Sequence, residues 1–145
     1  MKSLLMAVLL ACSLSAVRAE SDTGKATYYT CESCQREGTS GVYTASGERY
    51  DESKLTCALP RRGWGGIYKV TNLDNDLCIY VRHNDFGPGK GPRAKGVVID
   101  LTPAAFQALG GKLKDGIIKR VKYERLDAAE VRVLKKQGKL AGTEK

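Results

Sequence analysis
The chain has 145 residues, with 24 Lys and Arg against 16 Asp and Glu, a formal net charge of +8 and 16 glycines. That length is the prior for one domain, and a spread positive charge suits an anionic polymer, such as a cell-wall glycan, as partner. Basic residues do not alternate with aromatic ones along any strand-like stretch, which argues against a nucleic-acid module. Beyond the first residues, no apolar run approaches the length of a membrane span.

Residues 1–19 read as a secretory signal peptide. Lys2 supplies the positive start, an apolar run reaches Ala11, and Val17-Arg18-Ala19 precedes a cut. A rival reading takes Leu9-Leu10-Ala11-Cys12 as a lipoprotein box with a lipid on Cys12, but its leader is very short. The sequence therefore predicts a secreted or periplasmic protein beginning at Glu20.

From there the chain reads as short strands. Residues 25–30 (KATYYT) are aromatic and β-branched, and residues 41–45 form a second candidate. Residues 67–73 and 77–83 flank the polar turn Asp74-Asn75-Asp76 as a hairpin. Apolar residues at 97–101 and alternation over 117–126 complete the set. One helix is signalled by Thr102 as cap, Pro103 at the first position and Gly110-Gly111 as the stop. A single helical turn fits near residues 51–54. Residues 127–145 are charged and lack aromatic residues, which predicts a short helix at most and then a flexible tail. Many short strands with one or two short helices predict an all-β barrel over residues 20–126.

Cys31, Cys34, Cys57 and Cys78 remain after the leader is removed. An even count in an exported domain predicts two disulfides, with the pairing open. Cys31-Glu-Ser-Cys34 lacks the βαβ setting of a redox pair, and Cys57 and Cys78 are too far apart in sequence for a second zinc pair. No metal or cofactor is expected.

The segment VRHNDFGPGKGPRAKGVVIDL, residues 81–101, carries the sharpest chemical signal. Asn84-Asp85 before Gly87-Pro88 is good turn chemistry, yet Asp85 also stands where an acid at a strand end would. His83, the single histidine, follows Leu77, Ile79 and Val81 on one strand face, which favours packing while keeping it near Asp85. Asp100 lies between a strand and a helix start, a place that favours a capping or hydrogen-bonding role. Tyr28, Tyr29, Tyr43 and Trp64 offer aromatic faces, with Trp64 set in the loop Arg61-Arg62-Gly63-Trp64-Gly65-Gly66. Lys90, Arg93 and Lys95 could lie over an anionic glycan.

Several motifs then fall in order: Lys25-Ala26-Thr27-Tyr28-Tyr29, Ser46-Gly47-Glu48-Arg49-Tyr50-Asp51, Leu55-Thr56-Cys57-Ala58-Leu59-Pro60, Val70-Thr71-Asn72-Leu73, Asn84-Asp85-Phe86-Gly87-Pro88 and Ile99-Asp100-Leu101-Thr102. Together they resemble the rare lipoprotein A (RlpA) family, a double-psi β-barrel group that also holds expansin and barwin-like domains. The resemblance covers roughly residues 25–126. It implies a six-stranded double-psi barrel and a lytic transglycosylase that cuts peptidoglycan strands. It also implies Asp85 and Glu48 as the key acids. From the residues themselves, His83 and Asn84 are candidate assisting groups, and Trp64, Tyr29, Lys90 and Arg93 are candidate substrate contacts. Two departures stand out. The family's usual His before Leu-Pro is missing, since Cys57-Ala58 runs straight into Leu59-Pro60, and its Arg after Asn-Asp is Phe86 here. A non-catalytic, expansin-like wall-binding barrel is the alternative, and a protease-inhibitor-type binding module ranks third. The protein is expected to act as a monomer on a cell-wall polysaccharide.

Overall fold
Strand formation follows the β-branched and aromatic runs, and the barrel closes where the first strand pairs with the last. The structure, a computed structural model, describes residues 20–38 and 41–145, so the signal-peptide and Cys12 readings lie outside the described residues. The elements in chain order are β1 (Ser21–Tyr28), α1 (Cys31–Glu37), β2 (Thr56–Leu59), β3 (Ile67–Asn72), β4 (Cys78–Phe86), α2 (Lys90–Ala94), β5 (Val97–Leu101), α3 (Pro103–Ala108), β6 (Ile117–Arg125) and α4 (Ala128–Lys136). The strands close in the order β1-β5-β2-β4-β3-β6. This is the all-β, six-stranded double-psi architecture the sequence implies, with four short helices among the described residues rather than one or two.

Two pairings, β1 with β5 and β2 with β4, are parallel; the others are antiparallel. Closure leaves no open edge, so every strand has two partners. Ala26, Val70, Val81, Ile99, Val121 and Tyr123 point into one core, and Phe106 of α3 plugs it beside Leu109. Burial of these apolar groups supplies the main driving force. The α3 signals hold in detail: the Thr102 hydroxyl accepts from the Ala105 N–H, and Pro103 occupies the first turn.

Several expectations need correction. Residues 41–45 make no strand; Tyr43 and Arg49 form an isolated bridge, because the closed barrel has no free edge to pair with. Residues 51–54 form a turn rather than a helix, with the Ser53 N–H bonded to Asp51 Oδ1 at 2.9 Å. β1 starts at Ser21, earlier than predicted, because the long β6 pairs with it from Glu124 onward and overrides turn-prone Asp22-Thr23-Gly24. α1 is an addition, opened by a reciprocal cap between Thr30 and Ser33. The expected disulfides are not formed: no bond links Cys31, Cys34, Cys57 and Cys78 to one another among the described residues. Cys57 is buried in β2, whereas Cys78 is exposed at the start of β4.

The segment after β6 is not a loose tail. Asp127 caps α4 through a capping box with Glu130, and the chain then returns to the barrel, where Leu140 and Thr143 are buried. No helix among the described residues is long and apolar enough to cross a membrane.

Gly24 sits where β1 passes closest to β5. A Cβ there would lie 2.5 Å from Val98 Cγ1 and 2.7 Å from the Gly96 carbonyl oxygen. Because the Gly96 contact is backbone, a rotamer change cannot relieve it. Gly24→Ala is expected to destabilise the fold by about 1–3 kcal/mol, read as a lowered midpoint in thermal unfolding.

Candidate active site
β2 is only four residues long, yet it lies between β4 and β5. In register, Ala58 stands opposite Asp85 on β4 and opposite Asp100 on β5. The backbones of the two aspartates are thus about two strand spacings of 4.8 Å apart. Both line one cavity of about 940 Å³. Its floor is Thr27, Ala58, Asp85, Gly87 and Asp100. One wall is α1, through Ser33 and Arg36, and Gly89 and Pro92 of the α2 turn contribute to the other.

Asp85 is 6% exposed. Its Oδ1 accepts from the Ala45 N–H at 2.9 Å and from its own neighbour Phe86 N–H at 2.8 Å. Two backbone donors on one oxygen fix the carboxyl plane. The Tyr29 hydroxyl, also lining the cavity, is buried and makes no hydrogen bond of normal geometry. Burial first, then the neighbouring charge of Asp85, pushes its phenol well above the ordinary value, so it stays protonated. Tyr29 forms part of the groove wall.

Asp100 has a different environment. Burial pushes its carboxyl pKa up, with Glu37 and Asp85 adding in the same direction through their charges, while a hydrogen bond from the Thr27 hydroxyl opposes the shift. Gly87 makes room for it: a Cβ at Gly87 would come within 3.1 Å of Asp100 Oδ2 and 3.3 Å of the Ala58 methyl. Asp100 thus combines the hydrogen-bonding role expected from its position, here with Thr27, with a place on the groove floor. Thr27, Ala58 and Gly87 are further site residues that sequence reasoning missed. The only local signal was the pair of aspartates at strand ends, and the register that unites them is non-local.

Glu48 is elsewhere. It lines a separate cavity of about 500 Å³ with Arg49, Lys54, Asn84 and Lys145. The Arg82 guanidinium takes both of its oxygens, Nη1 to Oε1 and Nη2 to Oε2 at 2.6 Å, and Asn84 Nδ2 adds a bond at 3.3 Å. The bonds from Arg82 outweigh burial and, helped by Asn84 and Lys145, hold the Glu48 carboxyl below its ordinary range. Glu48 is a fixed anion and lines a different cavity from Asp85. Asn84 faces this ion pair because alternate residues of a strand point to opposite sides.

His83 is buried in the core, edge-on to Trp64 at 5.0 Å and to Tyr68 at 6.1 Å between ring centres. Its Nε2 lies 2.9 Å from the Asp85 backbone oxygen. A carbonyl only accepts, so Nε2 carries the proton. Burial lowers the imidazole pKa below 6.5, and the ring is neutral. His83 thus supports the Asp85 backbone and does not exchange protons with its carboxyl. Trp64 covers His83 and does not line the groove; its loop is tied down where Arg61 pairs with Glu20 and bonds Tyr123. Lys90 and Arg93 are exposed on α2, beside Gly89 and Pro92 of the groove wall. Among the described residues no group of three His, Cys, Asp or Glu is placed to hold a metal ion.

Comparison with known proteins follows this geometry. The family model described as "Lytic transglycolase", of double-psi β-barrel type, matches residues 21–123. The chain is 44% identical over 73 residues to a probable endolytic peptidoglycan transglycosylase RlpA of Synechocystis sp., covering 50% of this chain and 22% of that protein. It is 39% identical over 90 residues to the endolytic peptidoglycan transglycosylase RlpA of Pseudomonas aeruginosa, covering 62% and 25%. The matches thus span a quarter or less of these relatives' own length. Among solved structures, the Streptomyces papain inhibitor superposes with a TM-score of 0.55 at 26% identity, over 74% of this chain and 96% of that one.

Two of the shifted groups, His83 and Asp100, set opposite pH limits on stability. His83 binds a proton more weakly folded than unfolded, so stability falls as pH drops through and below 6.5. Asp100 holds its proton more tightly folded than unfolded, so its contribution is lost as pH rises from 3.8 through the raised value. Asp100→Asn has no proton to release, and is expected to raise the unfolding midpoint at neutral pH but not at pH 3. Thermal scans across pH check this; an unchanged midpoint at pH 7 would count against a strained Asp100.

Proposed function
The chain belongs to the RlpA-like family of double-psi β-barrel lytic transglycosylases, and from that premise we propose that its groove cleaves peptidoglycan glycan strands to 1,6-anhydro ends. The observation that carries this reading is the placement of Asp85 and Asp100 on one floor, with Asp100 held toward its protonated form. Cleavage of a glycosidic bond needs a proton on the leaving oxygen and stabilisation of an oxocarbenium-like sugar.

Asp100 donates its proton to the bridging oxygen as the C1–O bond breaks, releasing a strand end with a free hydroxyl. Asp85, oriented by the Ala45 and Phe86 amides, faces the developing positive charge. The Asp100 carboxylate then takes the proton from the sugar's own 6-hydroxyl as its oxygen bonds to C1. The proton is restored to Asp100 and no water is consumed. One acid/base therefore serves both half-reactions. Tyr28 and Tyr29 line the groove, and Arg36 with the exposed Lys90 and Arg93 sets a basic rim for an anionic strand. This reading revises the sequence assignment by giving Asp100 the proton and Glu48 a supporting charge. Residues 1–19 fit export to where such a substrate lies, and mass spectrometry of the mature protein is expected to find Glu20 first rather than a lipidated Cys12.

The experiment is digestion of purified glycan strands by the mature protein, with products identified by mass. Asp100→Asn and Asp85→Asn are each expected to cut the yield of anhydro-ended products by about 10²–10⁴-fold. Ala58→Leu is expected to block binding by filling the floor between the carboxyls. Wild-type protein that releases no anhydro ends would sink the reading. The likeness to the Streptomyces papain inhibitor favours a second one, a protein-binding barrel. Inhibition of a papain-type protease that survives both Asp substitutions would support it.

A further inference from the structure
After α4 the chain turns back and lies across the barrel. Leu140 is 8% and Thr143 is 4% exposed. Three successive carbonyls are taken up by donors of the barrel. The Leu55 N–H donates to Gly142 O at 2.7 Å, Arg82 Nε donates to Thr143 O, and Lys54 Nζ donates to Glu144 O at 3.0 Å. Gly142 has φ +84, and a Cβ on it would lie 3.2 Å from Leu55 Cγ, so this position favours glycine twice over.

Arg82 is the junction. It is 7% exposed, and all three of its guanidinium nitrogens are engaged, Nε by Thr143 and the two terminal nitrogens by Glu48. A buried guanidinium left without one acceptor loses much of its fixed orientation. Glu48 in turn closes a tight loop, since the Thr44 N–H donates to the Glu48 carbonyl at 2.8 Å and the Ser46 N–H to Asn84 O at 3.1 Å. The next residue of that loop, Ala45, supplies an N–H that orients Asp85.

We propose that residues 140–144 are a positioning strap. By fixing Arg82 they fix Glu48, and through Glu48 they hold the loop of residues 44–48 whose amide aims the Asp85 carboxyl. The strap thereby links the segment after α4, which does not line the groove, to the geometry of the groove. It also gives Glu48 a definite duty as the middle link of the relay. The link stands on hydrogen bonds alone and does not depend on which bond the groove cleaves.

The test uses the whole protein and two variants that dislodge the strap differently, Gly142→Val by backbone strain and Leu140→Asp by burying a charge. Lys136→Ala, on an exposed face of α4, serves as control. Amide hydrogen exchange is followed at Leu55 and Ala45, and carbon-13 NMR follows the Glu48 carboxyl titration against its neighbours Arg82, Asn84 and Lys145. In the strap variants Leu55 and Ala45 are expected to exchange at least about tenfold faster, and Glu48 to titrate higher than in the wild type, with the control unchanged. Fast Leu55 exchange with Ala45 and Glu48 unmoved would overturn the proposal. So would Leu55 exchanging like a free amide in the wild type, or staying protected in both variants. If both variants unfold outright, the segment is core and not a strap, which also ends the idea.

Discussion
A four-residue strand with two unlike partners governs this structure. β2 runs parallel to β4 and antiparallel to β5, and Ala58 is the point where the two registers meet. Shifting either register by one residue would turn an aspartate away from the groove, because strand side chains alternate. The register is held from below by Cys57 and Leu59, both buried in the core, and from beside by Leu101 and Phe106. Core packing and site geometry are therefore one constraint. The missing histidine of the family pattern fits this picture, since Cys57 faces inward as a packing residue and Ala58 leaves open floor between the carboxyls.

Three carboxyls near β4 have come to differ through their surroundings alone. Asp100 has burial and like charges around it, with one hydroxyl in opposition. Asp85 has two backbone amides on a single oxygen. Glu48 has a buried guanidinium fork. A charge taken out of water must be neutralised or paired, and the barrel uses both solutions within a few residues of one another. That division of labour leaves one group able to give a proton and another able to face a cation.

Much of the fold was legible from local pattern. β5 and α3 follow from Val97 to Leu101, then Thr102 and Pro103, because apolar runs and caps act over a few residues. The hairpin of β3 and β4 follows from its polar turn. What escaped had a distant cause. β4 runs past His83 to Phe86 because β2 pairs with it there, and the loop 44–48 and the strap cover its outer face, so the expected alternation of buried and exposed residues disappears at Arg82 and Asn84. α2 contains Gly91 and Pro92, which read as a loop, and the docking of Leu140 and Thr143 has no local signature. In the site, the local pattern marks Asp85 as an acid at a strand end and Tyr29 as an aromatic face. The register that sets Asp100 on the same floor as Asp85 spans two strand pairings, and nothing local in the chain announces that Trp64 packs on His83.

The two walls of the groove enter the chain as separate insertions, α1 between β1 and β2 and α2 between β4 and β5, whereas the floor belongs to paired strands. Each wall starts and ends near the barrel rim and contributes little to the apolar interior, since α1 and α2 bury no residue. Loop exchange at these two places would reshape the opening while leaving the strand registers intact. The same barrel can in this way serve as a chassis, with recognition of a glycan, a wall polymer or a protein surface written into two replaceable segments.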